Sequence, residues 1–115
     1  MPIVRGEIVL PATGAPATAA NVIVRVEDIS RADAPTVIVG EQRQSDVSLS
    51  PGTALPFAVE IPGERVDSRR MYSVSVHIDV SGSGEIERGD LISTQIYPVL
   101  TRGHGDEARV QVKRV

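Results

Sequence analysis

The clearest ligand-like spacing in this chain lies between residues 79 and 90. Calcium takes six to eight oxygen ligands, and a glycine at the sixth position of a twelve-residue loop permits the sharp turn of an EF-hand. Gly84 stands at that position, and the candidate ligands are Asp79, Ser81, Ser83, Glu85 and Asp90. The flanks, however, are typical of strands rather than helices. The other interpretation is therefore a Gly/Ser-rich loop that joins two strands of a hairpin.

Other reactive groups are few. His77 and His104 are the only side chains with an ordinary pKa near neutrality. His77 alternates outward from a strand and is predicted to lie on the surface, whereas His104 stands in a glycine-flanked, solvated turn. The chain has no cysteine, no Gly-x-Ser-x-Gly elbow and no phosphate-binding glycine loop. These observations predict a protein without enzymatic activity and without a cofactor.

Composition narrows the class of protein further. The chain has 115 residues, a hydrophobic fraction of 41% and a formal net charge of −3. This length suits a single domain spanning residues 1–115. The acidic balance argues against binding to nucleic acid. No apolar run is long enough to span a bilayer, so we expect no membrane insertion.

The hydrophobic pattern alternates with a period of two and predicts strands throughout. Seven segments follow it: Ile3–Leu10, Val22–Ile29, Thr36–Gln44, Leu55–Ile61, Met71–Val80, Leu91–Val99 and Ala108–Val115. No segment longer than a single turn is predicted to be helical. No helix can therefore cover the apolar face of a sheet, and two sheets must pack against each other. The fold class is therefore predicted to be all-β, an immunoglobulin-like or transthyretin-like sandwich of about seven antiparallel strands.

Two groups of polar residues are predicted to fix the connections between strands. Asp28, Arg31 and Asp33 are close enough in sequence to interlock a crossover through charge-assisted hydrogen bonds. Asp67 precedes Tyr72 by five residues, where a loop enters the strongest strand. That spacing is typical of a tyrosine corner, in which the ring is buried and the hydroxyl returns to the loop backbone.

Several of these segments resemble the YscW/YbaY-type lipoprotein family. The resemblance covers most of the chain and depends on Asp28 with residues 30–35, and on the run from Tyr97 to Thr101. It implies a small, non-catalytic β-sandwich of the bacterial cell envelope. One branch of the family is the type III secretion lipoprotein chaperone, or pilotin, which binds a secretin subunit. A native start at Met1 would instead favour the cytoplasm.

The leading functional hypothesis is a protein-binding or scaffold domain, with a protein or peptide as its partner. Binding by strand addition would use an exposed sheet edge, for which residues 36–44 are the candidate. The alternatives are a small-ligand or calcium-binding sandwich that uses residues 79–90, and a purely structural domain.

Overall fold

The computed structural model describes residues 2–31, 33 and 35–115, and its regular structure consists almost wholly of strands. The eight strands are β1 (Ile3–Val9), β2 (Thr18–Asp28), β3 (Val37–Ser48), β4 (Ala54–Glu60), β5 (Tyr72–Asp79), β6 (Leu91–Ser93), β7 (Pro98–Val99) and β8 (Glu107–Arg114). One short 3₁₀ turn, Gly63–Arg65, follows β4. Among the described residues, no helix is long and apolar enough to cross a membrane. The all-β prediction is confirmed.

The strands form a nearly closed, barrel-like sandwich in the order β3-β2-β5-β6-β8-β1-β4, and β7 pairs with β5 beside β6. Strand β8 belongs to both layers. Its first part pairs with β1, and its last three residues before the C-terminus pair with β6. A Cβ at Gly6 of β1 would collide with the carbonyl oxygen of Ala108 in β8, so a glycine is required where these two strands meet.

Two details of the strand prediction are wrong. The β1–β8 pair is parallel, whereas all pairs were expected to be antiparallel. Alternation reports which face of a strand is buried and contains no information on its direction, which here follows from closure of the sheet. The predicted strand Leu91–Val99 is two short strands, β6 and β7. Residues 91–92 and residues 98–99 each pair with β5, and the ladder is interrupted between them.

The core lies between the layers and is built mainly from β-branched side chains. Its members alternate along the strands as the sequence predicts, and the largest fully buried ones are Tyr72, Ile8, Ile61, Ile78, Leu91, Val4, Val22, Val24, Val26, Val59, Val74 and Val99. Strands β2 and β5 run antiparallel side by side and contribute half of the side chains in that list. They also position most of the polar groups considered next.

Candidate functional site

The hydroxyl of Tyr72 lies at the entrance to β5 and is buried with its ring. It donates a hydrogen bond to the Arg65 carbonyl (3.1 Å) and accepts one from the Asp67 N–H (2.8 Å). This is the tyrosine-corner arrangement that the sequence predicts for Asp67 and Tyr72. The Asp67 carboxylate points elsewhere: hydrogen bonds from the Arg69 side chain and N–H hold the pKa of Asp67 at about 2. The corner holds the loop of residues 65–67 in place. The Tyr72 hydroxyl and the Asp67 carboxylate are both hydrogen-bonded within it.

Asp28 closes the same end of the sandwich. Its carboxylate accepts a hydrogen bond from the Ser30 N–H (3.0 Å) and pairs with the Arg70 guanidinium (3.1 Å). Burial raises the pKa of Asp28, but the Ser30 and Arg70 contacts outweigh it and hold this pKa below its ordinary value. The carboxylate therefore stays ionised and ties the end of β2 to the loop that enters β5.

The partners expected for Asp28 were different. The sequence suggested Arg31 and Asp33, yet both residues are exposed, and within the described ranges no hydrogen bond joins either of them to Asp28. Arg70 takes that position because β2 and β5 are antiparallel neighbours, which brings residues 28 and 72 side by side. A partner 42 positions away in the chain cannot be recognised from local spacing.

The loop from residue 80 to residue 90 is organised around two buried carboxylates. Asp79, fully buried, accepts hydrogen bonds from the N–H groups of Gly82 (3.0 Å) and Gly84 (2.9 Å). Asp90, with 1% of its surface exposed, accepts from the N–H groups of Val80 and Glu87, both at 3.1 Å. The two side chains therefore serve as internal anchors that fold the loop back against the sheet.

His77 completes this arrangement. Its Nε2 lies 2.8 Å from the Asp90 carboxylate, and only 14% of its side chain is exposed. The prediction that His77 is a surface residue is therefore wrong. It does point to the outer face of β5, but the returning loop covers it there. Burial raises the pKa of Asp90, and the contacts with His77 and two N–H groups more than offset this effect, so that pKa lies below its ordinary value.

The calcium candidates are brought only partly together. Asp79, Asp90 and His77 have ligand atoms within 4.8 Å of one another, a separation at which a metal ion could be held. Each of the four carboxylate oxygens, however, already accepts at least one N–H donor. The remaining candidates are exposed: Ser81 donates to Glu87 and Ser83 to the Glu85 carbonyl. All of these hydrogen bonds lie within residues 77–90, and together they hold the loop in its folded conformation.

Tyr97 bridges strands rather than forming a site of its own. Its hydroxyl accepts hydrogen bonds from the Gln95 side chain (2.8 Å) and from the Gln111 N–H in β8 (2.9 Å). Its backbone meanwhile bonds to β5, to the Ser73 hydroxyl and the Val74 N–H. Tyr97 thus connects β5 to β8 across the short strands β6 and β7.

The feature that sequence reasoning missed is a seam between β3 and β4, formed by residues 40–44 and 56–60. The two strands lie at opposite ends of the strand order, and no backbone ladder joins them in the part of the chain that the structure describes. Two glutamine side chains bridge them instead. Gln42 accepts the Ala58 N–H (3.1 Å), and Gln44 donates to the Pro56 carbonyl (3.5 Å) and to Gln42 (3.4 Å). The sequence does show two glutamines on one face of a strand, but no local pattern indicates that β4 lies opposite them.

The predicted edge at residues 36–44 therefore has two parts. Strand β3 does end the strand order, but β4 faces it across the seam from Gly40 onward, where a Cβ would lie 3.0 Å from the Glu60 carbonyl oxygen. At the start of β3, before the seam, Val37 and Ile38 have 59% and 38% of their surfaces exposed. The Arg65 guanidinium approaches the Ile38 carbonyl there at 3.4 Å.

Comparison with known proteins places this geometry in a family. An alternative pilotin from the type II secretion system of Vibrio cholerae has the same fold, with a TM-score of 0.81, 23% sequence identity, and coverage of 98% of this chain and 96% of the pilotin chain. No curated protein matches the sequence significantly. The family model for the type III secretion system lipoprotein chaperone (YscW) matches residues 1–112 and supports a non-catalytic, chaperone-like role. This chain therefore belongs to the YscW family of type III secretion lipoprotein chaperones.

Proposed function

We propose that this protein is a pilotin-like chaperone that binds a secretin subunit and assists its assembly in the outer membrane. The observation that carries the proposal is the family match over residues 1–112. The Vibrio cholerae protein with the same fold is itself a pilotin, although of a type II system. Binding, rather than chemistry, is the activity that such a chaperone performs.

The geometry supports a binding role in a second way. The buried carboxylates of Asp79 and Asp90 and the half-buried imidazole of His77 all hold the loop of residues 80–90, and the Tyr72 hydroxyl is bonded in the tyrosine corner. What the surface offers instead is an interrupted sheet edge and exposed apolar residues. Val37 and Ile38 lie at that edge. Sheet edges and apolar surface are what protein partners recognise.

A cellular experiment tests the proposal directly. In the bacterium that encodes this chain, its gene is deleted and the amount of heat-stable secretin multimer in the outer membrane is measured. We expect the multimer to fall and to return when the wild-type gene is supplied. Unchanged multimer in the deletion strain, with secretin subunits expressed at their usual level, would contradict the proposed role.

A further inference from the structure

Four charged side chains on the outer face of the β1–β8 pair alternate in sign along and across the two strands. In the parallel register, Arg5 of β1 lies beside Glu107 of β8, and Glu7 lies beside Arg109. Residues two apart on a strand point to the same side of the sheet, and all four are exposed. They line one open groove of about 700 Å³. The face therefore carries two positive and two negative groups in a checkerboard.

The four charges of this checkerboard are not paired within the chain. Among the described residues, no ion pair joins any of them to another side chain. The outer face of the other layer differs, since Arg25 and Glu41 also lie in register, on β2 and β3, and do pair at 2.9 Å. The groove thus keeps two guanidinium and two carboxylate groups available to a binding partner.

The checkerboard is complementary to itself. A second copy, turned by 180° about an axis parallel to the strands, would place the partner's Glu107 opposite Arg5 and the partner's Arg109 opposite Glu7. With the axis across the strands, Arg5 would instead meet the partner's Glu7, and Glu107 would meet the partner's Arg109. Every charge meets its opposite in both arrangements, and both are two-fold, as the interfaces of most homodimers are.

The rest of the groove permits close approach. Pro56 and Ala58 of β4 are exposed and short, and Ile3 of β1 adds half-buried apolar surface. Strands β1, β4 and β8 have seven or eight residues each, so their joint outer face measures roughly 15 by 23 Å. Because a standard interface buries roughly 800 Å² on each partner, contact through this face alone should give a weak, reversible dimer.

We propose that the outer face of β1, β4 and β8 joins two copies of this chain into a homodimer, in which the four charges of the checkerboard pair across the interface. A second copy is the matching occupant because it carries the opposite charge at every facing position. A membrane or a nucleic acid presents charge of one sign and would repel half of the four groups. This inference goes beyond the proposed secretin role and does not depend on it.

Sedimentation equilibrium of the purified chain, from about 10 µM to about 1 mM, measures the dimer. We expect a dissociation constant on the order of 0.1 mM at low salt. Salt screens charges on an exposed face, so this constant should rise at least threefold in about 0.5 M sodium chloride.

Charge reversal tests the pairing itself. Arg5→Glu with Arg109→Glu makes the checkerboard entirely acidic, and Glu7→Arg with Glu107→Arg makes it entirely basic. Each double variant alone should lose self-association at least tenfold, whereas an equimolar mixture of the two should associate at least as tightly as the wild type.

A matched control separates this pairing from an effect of net charge. Arg31→Glu with Arg88→Glu changes the net charge as much as the acidic variant does, at exposed positions outside the groove, and should leave the dimer unchanged. Circular dichroism and thermal melting check that each variant is folded. Should a double variant unfold, the single variant Arg5→Glu takes its place, because it brings an acid opposite an acid in both arrangements and must lose self-association.

Three results would overturn the proposal. The first is a wild type that stays monomeric at about 1 mM in low salt. The second is a wild-type dimer that persists in the folded reversal variants, since it then forms through another surface. The third is a mixture of folded acidic and basic variants that does not associate. If the wild type is monomeric and the reversal variants lose affinity for the secretin subunit, the groove binds the secretin instead, so the dimer is overturned and the proposed function stands.

Discussion

Substitution of Asp90 by alanine tests whether the buried carboxylates organise the loop of residues 80–90. The side chain accepts hydrogen bonds from the Val80 N–H, the Glu87 N–H and His77. A buried group left without its partner costs about 1–3 kcal/mol. Most of the loop (residues 81–88) is exposed, so N–H groups that lose Asp90 can bond to water instead. We therefore take the lower end of that range, about 1 kcal/mol, for each of the three hydrogen bonds and expect a loss of about 3 kcal/mol. For a domain of this size the melting temperature should fall by roughly 12 °C.

The pH dependence of this loss has a definite sign. The pKa of Asp90 in the folded protein lies below its ordinary value of 3.8. A carboxyl whose pKa is lowered by folding stabilises the protein above its unfolded-state pKa, and that stabilisation disappears as the pH falls through the folded-state pKa. The difference between wild type and Asp90→Ala should therefore be full above about pH 5 and shrink below about pH 4.

Urea unfolding at a series of pH values measures both quantities. Asp106→Ala is the matched control, because Asp106 is an exposed aspartate, and its change should stay within about 0.5 kcal/mol. A loss below about 1 kcal/mol for Asp90→Ala at neutral pH would refute the assignment of Asp90 as an anchor. A loss that does not shrink at all as the pH falls below the ordinary pKa of 3.8 would show that packing, and not the ionised carboxylate, is responsible.

Three further predictions follow from the described contacts. Tyr72→Phe removes the hydroxyl from the Arg65 carbonyl and the Asp67 N–H and should cost about 1–3 kcal/mol in urea unfolding; a change near zero would contradict the tyrosine corner. Gly6→Ala should destabilise by more than about 2 kcal/mol, because its methyl group meets the β8 backbone, whereas Gly105→Ala, in open space, should not; equal effects would contradict the close approach. Millimolar calcium should leave the melting temperature unchanged, and a clear rise would show that calcium displaces the N–H donors around Asp79.

Local alternation was sufficient to predict most of the fold. The strand expected at Met71–Val80 is β5, Tyr72–Asp79, because a buried face repeats every second residue whatever its neighbours are. The direction of β8 and the division of Leu91–Val99 depend on which strands meet in space. Those pairings are properties of the closed sheet, and the pattern within one segment does not contain them.

The site was less predictable for the same reason. The contact between Tyr72 and Asp67 spans five residues and was visible in the sequence, whereas Arg70 reaches Asp28 across 42 positions. His77 obeys its alternation but is covered by a loop whose path depends on Asp90. Gln42 similarly bonds to Ala58 of β4, and no local pattern indicates that β4 lies opposite it.

Isothermal titration of the purified secretin subunit of the same bacterium into this protein measures whether the two proteins bind each other. We expect saturable binding with a stoichiometry of one secretin subunit per chain. We also expect a negative heat-capacity change, because binding buries an apolar sheet edge. Absence of binding heat at several temperatures, with both proteins folded, would contradict the claim that this chain is a secretin chaperone.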